Sequence, residues 1–204
     1  MTESARPALP VQERSRETRR RILEAAVTCL AEEGYSAATT SRIQQMAGVS
    51  RGSLLHQFPS REDLLVAAVQ DLARRREGGI AEPEPGASAG DIDSAVGLMW
   101  ESFQGPLFRA AMQLWVASPH STELTAALKP RERELGRRIR EVIAEVFGPE
   151  HAAHPDFESL VTVINTSMRG VAMTYLFDPR PANDEPLLAV WRSIAHRILD
   201  DASA

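Results

Sequence analysis

The stretch from Thr39 to Arg61, TTSRIQQMAGVSRGSLLHQFPSR, constrains this chain more than any other. It holds two short helix patterns separated by a tight turn. Thr40 is placed to cap the first helix, with Ile43, Met46 and Ala47 facing inward. Gly48 stands where a left-handed residue is wanted after a helix end. Ser50 then offers its hydroxyl to the free N–H groups of the next helix. That second helix, Arg51 to about Phe58, anchors through Leu54 and Phe58 at i, i+4 spacing and leaves Arg51, Gly52, Ser53, His56 and Gln57 on its other positions. Two anchors and a polar outer face suit a helix held out for another surface to read. A helix, short turn and helix of this size is the DNA-binding helix-turn-helix, whose second helix enters the major groove.

The same residues resemble the signature of the tetracycline-repressor (TetR) family, T-x-x-x-I-A-x-x-A-G-V-S-x-G-x-L-Y-x-x-F-x-S-K-E-x-L. The matching positions are Ile43, Ala47, Gly48, Val49, Ser50, Gly52, Leu54, Phe58, Ser60, Glu62 and Leu64, and Arg61 keeps the charge of the usual lysine. Gln44 stands where alanine is usual, between the two helices. Leu55 replaces a tyrosine that in the family touches phosphate, and so removes a hydroxyl. Motif-level resemblance runs over about residues 18–66; beyond that, helix order and size agree.

Charge distribution supports a DNA module. Formal net charge is −5, yet residues 1–76 carry 12 Arg against 9 Asp or Glu, and residues 77–204 carry 11 Lys or Arg against 19 Asp or Glu. A basic front and an acidic back fit a nucleic-acid-binding head attached to a body that avoids DNA. The single cysteine, Cys29, excludes an intrachain disulfide and lies in an apolar helix stripe, where packing is its expected role. No apolar run approaches the roughly 18–20 residues that span a bilayer, and the N-terminus has no signal-peptide core, so a cytoplasmic protein is expected.

Read in order, the chain is all-α, with about nine helices. Residues 1–13, with Pro7 and Pro10, read as a disordered arm; residues 14–60 as the DNA-binding domain; 61–80 as a connecting helix; and 91–204 as a second helical domain. Ile22, Ala25, Ala26, Cys29 and Leu30 form one face of the first helix. Its Arg14, Arg16, Arg19 and Arg20 are candidate phosphate ligands. Ser60 and Asp63 form a capping box at the connecting helix. Arg61 in that first turn opposes the helix dipole, which makes sense beside a phosphate. Residues 82–90, EPEPGASAG, read as a linker. Five helices follow. Pro130 is expected to kink or break the third of them, and Gly148-Pro149 to end it before a loop over 150–155.

The DNA-contacting set is therefore Thr40 and Arg61 for phosphates, and Arg51, Gly52, Ser53, Leu55, His56 and Gln57 on the reading helix. The family places a ligand pocket among the following helices, and Trp100, Phe103, Phe108, Met112, Trp115, Asn165 and Met168 are the candidate lining, with Met173 and Phe177 in the same aromatic and methionine set and Thr166 and Ser167 as further polar handles. The effector that such a lining fits is a partly apolar small molecule. The resemblance also implies a homodimer formed by the last two helices, with Val171, Tyr175, Trp191 and Ile198 as apolar anchors and Gly170, Ala172, Ala189 and Ala195 allowing close approach. His151, His154 and Asp156 have a spacing that could serve a metal but read as a surface loop; no metal and no cofactor is expected. No paired nucleophile and base and no phosphate-binding glycine loop is found, so no enzymatic activity is expected. The resulting reading is a transcriptional regulator, a repressor released from a palindromic operator by a small molecule. The competing readings are a regulator controlled by a protein partner and a helical small-molecule carrier or enzyme.

Overall fold

The computed structural model describes residues 11–80, 90–181 and 184–200. Among these the chain is all-helical, with no strand: α1 (Val11–Glu33), α2 (Thr40–Ala47), α3 (Arg51–Gln57), α4 (Arg61–Ile80), α5 (Ile92–Ser102), α6 (Pro106–Ala117), α7 (Thr122–Ala152), α8 (Phe157–Thr174) and α9 (Leu187–Leu199). A short 3-10 turn, Ser118–His120, joins α6 to α7. The expected arm lies outside the described residues up to residue 10, and α1 already begins at Val11, three positions before the sequence pattern starts it. The expected linker lies outside them except for Gly90.

Local chemistry explains most helix starts. Thr39, not Thr40, caps α2, its hydroxyl accepting from the Arg42 N–H at 3.1 Å; Thr40 is the first helical residue. Asp91 accepts from Ser94 at the start of α5, and Ser121 from Leu124 at the start of α7. At α4, the Ser60 hydroxyl accepts from the Asp63 N–H at 3.0 Å and donates to the Asp63 carboxylate at 2.7 Å. Pro106 occupies the first position of α6, where its missing N–H costs nothing.

Two departures concern α7. The helix runs through Pro130 without a break. Pro130 and Ala126, whose carbonyl loses its helical donor, are both exposed, so the lost bond lies on the solvent side of the helix. The break comes instead at Gly148, with φ 80° and ψ 162°, and Pro149–Ala152 resume as a helical turn rather than a loop. Gly148 packs against Gly90 closely enough that an added Cβ would sit 3.2 Å from the Gly90 Cα. Positive φ and backbone approach both require glycine there.

Two apolar clusters form. The front one joins α1–α4, including Ile22, Leu30, Ile43, Leu54, Phe58 and Leu64, and also takes Ala110 and Leu114 from α6 and Leu124 and Leu128 from α7. The rear one joins α5, α8 and α9 with Phe108 and Met112 of α6 and Ile143 and Phe147 of α7. Successive faces of α6 therefore enter both clusters, and Trp115 packs against each. α6 and the first half of α7 thus also pack with the helix-turn-helix unit. Cys29 is fully buried in the front cluster, and burial pushes its thiol pKa up, which fits packing.

Candidate nucleic-acid interface and effector region

The helix-turn-helix is held from behind. Gly48 adopts the left-handed conformation, φ 60° and ψ 41°, closing α2 with its N–H on Gln45 and the Val49 N–H on the Gln44 carbonyl. Gln44 itself is half-buried and the turn closes with it in place. Arg21 of α1, which no sequence pattern singled out, donates to the Ala47 and Gly48 carbonyls. It satisfies the C-terminal carbonyls of α2 and supplies positive charge where the helix dipole favours it. Ser50 caps α3 through the Ser53 N–H at 3.1 Å. Leu54 (1% exposed) and Phe58 (3%) anchor α3, and the Arg19 guanidinium lies 4.5 Å above the Phe58 ring.

This leaves Arg51, Gly52, Ser53, Leu55 and His56 exposed on the outer side of α3. Arg14, Ser15 and Thr18 of α1 face Gly52, Ser53, His56 and Gln57 across a shallow groove. Two polar members of the expected reading set are already engaged: Gln57 donates to the Ser15 hydroxyl at 3.0 Å, and the Ser53 and Ser50 hydroxyls lie 2.9 Å apart. Of the α1 arginines, Arg20 is paired with Glu17 and Glu24, whereas Arg14 and Arg16 are exposed.

Arg61 is engaged within the chain. Its guanidinium stacks 4.1 Å from the Tyr35 ring centre and donates to the Ala38 and Tyr35 carbonyls. These contacts, with the Glu62 carboxylate at 3.5 Å, fasten the α1–α2 loop to the start of α4.

Trp100, Phe103, Phe108, Met112 and Met168 are all buried in the rear cluster of the protomer itself. Trp100 meets Trp191 at 5.3 Å and Tyr175 at 5.6 Å, and Phe103 meets Phe108 at 5.5 Å. Asn165 and Trp115 are half-buried. Met173 and Phe177 do not join them: both are exposed, Phe177 at 81%. Ser167 accepts from the Trp191 indole at 3.0 Å, and Thr166 is exposed. The polar groups beside the aromatic set are instead Glu132 of α7 and Arg169 of α8. Arg169 lies 4.8 Å over the Trp115 ring. Burial pushes the Glu132 carboxyl pKa up, offset in part by the Trp115 indole and by Arg169. The indole N–H lies beside that carboxyl but is buried without a hydrogen bond of normal geometry. Glu132 escaped the sequence reading because it belongs to a run of charges on a long helix. A surface hollow lined by Ser118, Pro119, Thr122, Lys129 and Arg133 contains none of these residues.

Two of the expected dimer anchors are engaged within the protomer. Trp191 is 3% exposed and belongs to the protomer's own core. The Tyr175 hydroxyl donates to Glu185 at 2.6 Å, with its pKa pushed up to about 12 by burial and that carboxylate. Val171 and Ile198 pack partly against the rear cluster, and Ala172 and Ala195 face inward. The exposed large apolar side chains here are Val163 and Met173 on α8, Leu176 and Phe177 just beyond it, and Leu187 and Val190 on α9. Gly170 and Ala189 lie exposed on the same two helices, and a Cβ at Gly170 would meet nothing within 4 Å.

His151 contacts the Phe147 carbonyl at 2.9 Å, and His154 accepts from the Asp156 N–H at 3.1 Å. Among the described residues, no three His, Cys, Asp or Glu side chains gather as metal ligands, and no helix is long and apolar enough to cross a membrane.

Residues 22–68 match the family model for bacterial regulatory proteins of the tetR family. The transcriptional repressor AcnR of Corynebacterium glutamicum is 44% identical over 61 residues, 29% of this chain and 32% of AcnR, so the match spans about a third of that repressor. The transcriptional regulator CymR of Pseudomonas putida is 26% identical over 171 residues, covering 81% of this chain and 82% of CymR. Two solved structures share the fold: a putative TetR-family regulator from Rhodococcus sp. (TM-score 0.69, 19% identity, 90% of this chain and 99% of that one) and the multidrug-binding protein EbrR complexed with ethidium (TM-score 0.60, 21% identity, 89% and 98%). Residues 22–68 thus form a DNA-binding domain of the tetR family of bacterial regulatory proteins, in a chain whose all-helical fold is shared with those solved structures.

Proposed function

We propose that this chain is a homodimeric transcriptional repressor that binds a near-palindromic operator through α3 and leaves it when a small molecule binds the rear domain. The observation that carries the reading is α3 itself: a helix pinned by Leu54 and Phe58, capped by Ser50 and presenting Arg51, Gly52, Ser53, Leu55 and His56 outward. Such a helix in the major groove is the established mode of helix-turn-helix recognition, and a dimer sets two of them about 34–36 Å apart. Arg14 and Arg16 of α1 are the phosphate contacts that remain available. The face of Val163, Met173, Phe177, Leu187 and Val190 supports dimerisation, since a patch of this kind on a monomer exposes apolar area that a second copy would cover.

Effector control rests on the rear cluster. EbrR, which shares the fold, was solved with ethidium. Here the region around Trp115, Glu132 and Arg169 joins an aromatic wall, a carboxyl and a guanidinium at the junction of α6, α7 and α8. A ligand there acts on DNA binding only through its different affinity for two arrangements of α6.

The test is selection of bound duplexes from a random pool by the purified protein, followed by salt titration of the enriched sequence. An inverted repeat whose affinity falls steeply with salt is the expected result. Folded protein that enriches no sequence would refute the reading.

A further inference from the structure

We propose that Leu55 is a specificity determinant that reads the 5-methyl group of a thymine in each operator half-site. The inference rests on the DNA-binding reading above. Leu55 is 46% exposed on α3, next to Leu54 at 1%, so its exposure is set by a firmly anchored helix. It shares the outward side of α3 with Gly52, Ser53 and His56. Hydrogen-bond readout on this helix is thinned by two internal commitments: the Ser53 hydroxyl lies 2.9 Å from that of Ser50, and Gln57 donates to Ser15 at 3.0 Å. Leu55 is thus the exposed side chain of α3 that neither donates nor accepts. Each major-groove base edge presents donors and acceptors, and the thymine methyl is the one apolar feature among them. A leucine reads nothing else there by direct contact. It distinguishes thymine from cytosine by covering that methyl, and it rejects polar edges by leaving them without water or a partner.

The experiment uses full-length protein and the duplex enriched by selection. Each thymine is replaced in turn by deoxyuridine, which removes only the methyl, and affinity is measured for the wild type, Leu55→Ala and Leu55→Met. One symmetric position is expected to weaken wild-type binding by about fourfold when one half-site is replaced, the size of one buried methyl contact. Leu55→Met should retain that sensitivity and Leu55→Ala should lose it, with circular dichroism and melting confirming that both variants fold. If the duplex binds and no thymine shows the effect, or if Leu55→Ala shows it equally, the proposal is overturned while the repressor reading stands. If the folded wild type binds no duplex at all, the repressor reading fails and takes this proposal with it.

Discussion

The Gln113 side-chain carbonyl of α6 accepts the backbone N–H of Tyr35, in the loop between α1 and α2, at 3.2 Å. Those residues lie far apart in sequence, and the bond joins a helix of the rear domain to the loop that feeds the helix-turn-helix. Tyr35 is also the residue over which Arg61 stacks. One loop therefore touches both the connecting helix and α6, the helix whose faces enter both apolar clusters. Any rearrangement of α6 around an effector reaches the DNA-binding head through packed contacts, in addition to the lever of α4.

Gln113→Leu leaves the part-buried Tyr35 N–H without its acceptor. It should lower stability by about 1–2 kcal/mol, read from urea unfolding. In the operator-release assay it should also reduce the ratio of DNA affinities with and without effector. An unchanged ratio would place the coupling in α4 alone.

Arg61→Ala separates a structural cation from a phosphate ligand. The structural role predicts a stability loss of roughly 1–3 kcal/mol, because two carbonyls and an aromatic face lose their partner. It also predicts a salt dependence of DNA binding equal to that of the wild type. A direct phosphate contact would instead lower the salt slope by about one unit, which is the result expected for Arg14→Ala or Arg16→Ala.

Gly48→Ala combines a positive φ with a Cβ placed 2.8 Å from the Arg21 guanidinium. The left-handed conformation alone costs about 1–2 kcal/mol. Displacing Arg21 also frees the carbonyls that it holds at the end of α2. The expected outcome is a fall of several degrees in Tm and a larger relative loss of DNA affinity, since the angle between α2 and α3 depends on this turn.

His196 joins α9 to α5, bonding to Asp200 at 2.7 Å and Asp93 at 3.1 Å. Its pKa is raised above 6.5, chiefly by Asp200 and then by Asp93, against a desolvation that lowers it. A raised native pKa means that the folded state holds the proton more tightly than the unfolded chain. The added stability is therefore complete below about pH 6.5 and disappears as pH rises through the raised value. The difference in urea midpoint between wild type and His196→Gln should be larger at pH 6 than at pH 8.5; its size is limited because the group is half-exposed.

Val190→Glu places a charge on the outward face of α9 without touching the protomer core. If α8 and α9 pair with those of a second copy, light scattering should report a shift from dimer to monomer while helicity is retained. Operator affinity should then fall to that of a single head.

Much of the head was legible in the sequence because its determinants are local. Gly48, Ser50 and the Ser60–Asp63 pair act on N–H and carbonyl groups within a few residues, so residue type and spacing specify the turn and both helix starts. Helical periodicity likewise specified an all-helical chain and the buried stripes. The partner of each side chain was decided by tertiary structure. The helix position of Arg61 alone suggests a phosphate ligand; Tyr35 and Ala38, brought beside it by folding, give its guanidinium partners inside the chain. On α8 and α9, periodicity identifies apolar positions on more than one side, and only the packing of α5 against α9 turns Trp191 inward and leaves Val190 outside. Pro130 reads as a helix breaker because sequence does not say whether the carbonyl it orphans is buried or in water. A capping or turn interaction closes within a few residues and is fixed by chain chemistry. A long arginine, an amphipathic face or a lost backbone bond takes its meaning from whatever the rest of the fold brings next to it.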